Sequence, residues 1–178
     1  MRGAAGGGPR QGWGNGGRGF VSELCFRTEL IGRVLFARWV AAPSAEDVAA
    51  MEVQLVEAMQ RAAGPVIFVA SVDSRMRMPN AEQRGHLNRL ARAMRRYCQT
   101  AHLIVEGSEL QGSMLRVIVS GVLISTRMDG AFLSVHQGVD SAVREVTSRL
   151  EADGEALFRQ ARQLGLLDWG EPLRASSA

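Results

Sequence analysis

The 178-residue chain carries 21 arginines, 18 acidic residues, three histidines and no lysine, for a formal charge of +3. That excess lies in residues 1–20, where Arg2, Arg10 and Arg18 face no acid, so the neutral remainder makes no electrostatic case for nucleic acid. A hydrophobic content of 46% is ample for one core, and no apolar run reaches the about 18–20 residues of a membrane span. The longest candidate, Met114 to Ile124, is broken by Arg116 and Gly121. Cys25 and Cys98 lack CxxC spacing and are expected as buried free thiols. The arginine- and glycine-rich start has no apolar segment, so no signal peptide is expected and the cytoplasm is the predicted location.

Residues 1–20 hold nine glycines and cannot bury enough apolar surface to offset chain entropy. They are expected as a disordered tail before a domain spanning 21–169, with 170–178 as a frayed end. The domain opens with two β-rich runs, Val21–Thr28 and Val34–Val40, joined through Gly32 as an antiparallel hairpin. Ser44 with Asp47 predicts the start of a helix whose Val48, Met51, Leu55, Val56 and Met59 face a sheet. Val66–Ala70 predicts a fully buried strand, and Asn80 with Gln83 caps a second helix to about Tyr97. His102–Val105 is the next strand. Ser108 with Gln111 opens a third, strongly apolar helix to about Ile124. Ala131–Val135 is the last strand, followed by helices from Asp140 and over Glu155–Leu164. The expected fold class is α/β: a mixed, mostly parallel five-stranded sheet with about four helices and a further C-terminal one.

The chemistry concentrates between the buried strand and the second helix. In open α/β sheets, binding sites gather at the carboxyl ends of the strands. Here those ends lead into the loop Ser71–Met78, where Ser71, Asp73, Ser74, Arg75 and Arg77 are the candidate partner-binding or phosphorylation residues. Amide groups and the helix dipole would stabilise an anion there, and the arginines could add charge-assisted hydrogen bonds. Met76 and Met78 offer an adaptable contact surface. No catalytic motif occurs. The three histidines, His86, His102 and His136, are far apart in sequence, and neither a metal site nor a cofactor is expected. An enzymatic reading would need Asp73 to converge with His102 or Glu106; a thiol–imidazole pair would need Cys98 beside His102.

The order strand, strand, helix, strand, helix, strand, helix, strand, helix over about residues 22–152 resembles the STAS superfamily of anti-sigma-factor antagonists and its divergent STAS/SEC14-like bacterial branch. Asp73-Ser74 stands where that family carries Asp-Ser-Ser-Gly, although Arg75-Met76 follows here. The resemblance implies a non-enzymatic bacterial switch or scaffold that binds another protein, a regulator or a kinase, with serine phosphorylation as the control. The alternative is a small-ligand or lipid-binding module with a pocket between the third helix and the sheet. Neither nucleic acid nor membrane insertion is expected.

Overall fold

A computed structural model describes residues 24–73, 76–106, 109–127, 131–150 and 153–167. The segments 1–20 and 170–178 lie outside the described residues, as does Ser108. Five strands, β1 (Phe26–Ile31), β2 (Val34–Trp39), β3 (Val66–Val72), β4 (Cys98–Val105) and β5 (Leu133–His136), form one sheet in sequential order. β1 and β2 are antiparallel; the remaining pairs are parallel. Five helices complete the fold: α1 (Ala45–Arg61), α2 (Ala81–Tyr97), α3 (Glu109–Thr126), α4 (Val139–Thr147) and α5 (Gly154–Gln163). This is the α/β architecture expected, in an order matching STAS-like topology.

Handedness explains which helix covers which face. The connections β2–α1–β3, β3–α2–β4 and β4–α3–β5 each step one strand in the same direction, and such crossovers are almost always right-handed. Right-handedness places α1, α2 and α3 on one face. Accordingly Met51, Leu55, Leu90, Met94 and Val122 pack with Leu35, Trp39, Phe68 and Ala101. The opposite face must be covered by what remains, α4 and α5. Val139, Val146 and Phe158 fill it against Val34, Phe36, Val69 and Ile104, with Phe158 edge-on to Phe36 at 5.2 Å. Between its two covered faces β3 is buried at every residue. At the start of α5 only glycine fits, because a Cβ on Gly154 would overlap the Thr147 hydroxyl of α4.

The two predicted capping boxes that lie among the described residues form. Asn80 Oδ1 accepts from Gln83 N at 2.9 Å while Gln83 Oε1 accepts from Asn80 N at 3.0 Å. Ser44 Oγ accepts from Asp47 N at 3.1 Å; the buried Asp47 carboxylate accepts from Ser44 N, Ser44 Oγ and, across to β1, Cys25 N. Burial opposes ionisation of Asp47, but these donors outweigh it and hold the carboxyl below its usual range.

Several boundaries differ from those expected. Glu29, Leu30 and Ile31 belong to β1, so the hairpin turn is only Gly32-Arg33, with Gly32 at φ +61°. Ser71 and Val72 extend β3 rather than opening the loop. β4 begins at Cys98, directly on the end of α2. In α1, Ala58 is buried where Val56 and Met59 are only half-buried. Gly138, not Asp140, stands at the N-cap of α4.

Candidate functional site

The carboxyl ends of β2, β3 and β4 are tied together by one guanidinium. Arg38, near the end of β2, reaches Asp73 Oδ2 at 3.3 Å and both Glu106 oxygens, at 3.1 and 3.3 Å. The strand ends are also joined through the backbone, Asp73 N to Trp39 O at 3.0 Å and Glu106 N to Val72 O at 3.2 Å. A turn then closes from Asp73 O to Met76 N at 3.0 Å. The platform below the loop is therefore rigidly pinned, and Asp73 is committed to Arg38.

The candidate residues separate on this frame. Ser71 is wholly buried on the α5 face, and its hydroxyl donates to Leu166 O at 2.7 Å, so it clamps the segment after α5. Asp73 is buried in the Arg38 cluster. Arg77 is exposed beside Met78, which is 50% exposed. Ser74 and Arg75 lie outside the described residues. Asp73 and Glu106 do meet, through Arg38, but both ring nitrogens of His102 face His136 and Thr100 instead. The Cys98 thiol packs in the core of the α1–α3 face, and burial pushes it up to about 12. Cys25 is likewise pushed to about 12, by burial and then by Asp47.

On the α1–α3 face an apolar cavity of ≈ 100 Å³ lies between the sheet, α2 and α3. Phe68, Ala70 and Leu103 form its floor, Leu87, Ala91 and Met94 one wall, and Ile118, Val119 and Val122 the other. Towards the strand ends it is bounded by Trp39, Pro43, Met76 and Pro79. This is the position expected for a pocket between the third helix and the sheet; the side chain of Met114 lies outside the described residues.

A second cluster lies on the α4 face. His102 of β4, His136 of β5 and Glu145 of α4 converge, contrary to the expectation of separated histidines. Parallel pairing sets Ile104 beside His136 and His102 beside Ser134, so both imidazoles point to the face that α4 covers. His102 Nδ1 and His136 Nε2 are 3.1 Å apart. Thr100 Oγ1 lies 3.1 Å from His102 Nε2, and Ser141 Oγ lies 3.2 Å from His136 Nδ1. Ser141 donates its own proton to Gly138 O at 3.0 Å, so it accepts from His136 Nδ1. His136 Nε2 then carries the lone pair, and His102 Nδ1 donates to it. Ser134 Oγ donates to Glu145 Oε1 at 2.9 Å, and Arg149 lies 3.5 Å from the same oxygen.

Burial drives His102 down to about 4 despite the opposing pull of Glu145, and burial lowers His136 in the same way. Both rings are thus neutral at pH 7. Burial works against ionised Glu145, but the Ser134 bond and the neighbouring His102, His136 and Arg149 hold it below its usual range.

No protein-family model, curated protein or solved structure matches the chain. Arg38 and the histidine cluster were not singled out from the sequence as sites. A lone arginine inside an apolar strand does signal a required partner. The alternation Thr100, His102, Ile104 and Ser134, His136 places polar groups on one face of each strand.

Proposed function

We propose that the chain is a STAS-like, non-enzymatic regulatory module that binds another protein at the carboxyl ends of β2–β4. The contact surface is the exposed Arg77–Met78 segment with the start of α2, and one apolar side chain of the partner enters the cavity beneath it. The observation carrying this reading is the size and place of the cavity. Engineered apolar cavities of about 150 Å³ take up benzene, whereas drug-sized ligands occupy pockets of about 300–1,000 Å³. At ≈ 100 Å³, the space accepts a single side chain rather than an acyl chain. Arg38, Asp73 and Glu106 support the surface by fixing the strand ends from which the loop departs. Since Ser71 is buried, a phosphate switch would act at Ser74.

A photo-crosslinking residue at Met78 tests this in the host cell, with exposed Val53 on α1 as the control position. One defined protein captured at Met78 and absent at Val53 is the expected result. Equal labelling at both positions, or none at Met78, removes the proposal. The same cavity favours a second reading, a small apolar ligand of few carbon atoms. That reading predicts a bound molecule that co-purifies with the chain and leaves on mild organic extraction.

A further inference from the structure

We propose that His102, His136 and Glu145 form a binding site for a divalent cation of the zinc class, held by His102 Nδ1, His136 Nε2 and a Glu145 carboxylate oxygen. The separations carry the argument. His102 Nδ1 and His136 Nε2 are 3.1 Å apart, His136 Nε2 and Glu145 Oε2 3.7 Å, and His102 Nδ1 and Glu145 Oε1 4.0 Å. Zinc bonds of about 2.0–2.1 Å in a tetrahedron place ligand atoms about 3.3–3.4 Å apart. The two carboxylate distances run to different oxygens of Glu145, and one ligand atom from each residue lies within 4.8 Å of the others. A closure of about 1 Å, made mostly by the half-exposed Glu145 side chain, brings the three donors to that spacing.

The far side of every donor is already held. Thr100 Oγ1 meets His102 Nε2, Ser141 Oγ takes the proton of His136 Nδ1, and Ser134 Oγ bonds Glu145 Oε1. Partners of this kind fix the ring and tautomer of metal-binding histidines. His136 already presents its lone pair inward. His102 need only carry its proton on Nε2, where the Thr100 hydroxyl can accept it, to free Nδ1 for the ion. That exchange moves one proton within the ring and leaves it neutral.

Charge and access agree with this assignment. Two imidazoles with one carboxylate suit zinc, cobalt or nickel; calcium and magnesium require oxygen donors. His102 is 1% exposed, but Glu145 on the open side of α4 is 34% exposed, which provides an entry path and leaves a fourth position for water. Arg149, 37% exposed, can turn to solvent when the ion takes over its partner. The bound ion would fasten edge strand β5 to both β4 and α4.

The test uses the full chain, stripped with a chelator and titrated calorimetrically with zinc chloride. One equivalent is expected to bind and to raise the thermal midpoint. Cobalt in its place should show tetrahedral d–d absorption without a thiolate charge-transfer band, which separates this site from Cys25 and Cys98. Glu145→Gln, a near-isosteric change that keeps the Ser134 bond, and His136→Gln should each weaken binding at least about tenfold; Ser134→Ala, which removes only an outer partner, should weaken it by about 10–100-fold. Absence of both heat and thermal shift in the unaltered chain overturns the proposal. So does unchanged affinity in Glu145→Gln, which stays informative even if His136→Gln fails to fold.

Discussion

Filling the cavity separates a binding pocket from a packing defect. Ala91, on α2, is buried and lines the space, so Ala91→Leu projects roughly three carbons into it, worth about 2 kcal/mol on burial. At about 24 cal/mol per Å³, an empty space of ≈ 100 Å³ costs about 2 kcal/mol, the same size as that gain. Imperfect fit returns about 1–3 kcal/mol as overpacking. The variant is therefore expected within about 1 kcal/mol of the parent in urea unfolding followed by far-UV circular dichroism. Partner capture through Met78, however, should be lost, because the side chain meant to enter finds the space taken. A destabilisation above about 3 kcal/mol would refute the volume argument. Full stability with undiminished capture would refute the role given to the cavity.

Three further outcomes follow from the geometry. Cys25 and Cys98, both pushed to about 12, should stay unreactive towards thiol reagents at pH 7–8 in the folded chain and react together once it unfolds, as followed by chromogenic thiol titration. Asp47 has a folded pKa below its unfolded value, so its stabilising contribution is complete above about pH 4 and is lost as pH falls through the folded value. Asp47→Asn should flatten that acid-side loss in urea midpoints measured from pH 5 downwards. Ser71→Ala leaves Leu166 O without its buried donor and should cost about 1–3 kcal/mol, with faster hydrogen exchange in the segment after α5.

The elements most legible in the sequence are those with a local signature. Ser44–Asp47 and Asn80–Gln83 announce their helices because a capping box is contained within four residues. Val66–Val69 announces β3 because a strand covered on both faces has no polar alternation to disguise it. Cys98–Ala101 is harder, since α2 passes into β4 without any intervening loop residue and nothing polar or glycine-rich marks the change. β1 extends through Glu29 to Ile31 because its outer face tolerates charge, and a charged stretch before glycine looks like a turn.

The candidate site divides along the same line. The polar stretch after β3 is visible as a stretch, but strand pleat decides that Ser71 faces inwards, and Arg38, distant in sequence, decides that Asp73 is occupied. His102 and His136 are 34 positions apart, and only the register of β4 with β5 brings them together. Parallel register is a tertiary property that no local spacing reveals.

The most direct test of partner binding is native mass spectrometry of the chain isolated gently from its own host. A complex with one other protein that dissociates to the intact chain is the expected result. A bare chain, or a chain carrying only a small apolar molecule, would contradict it.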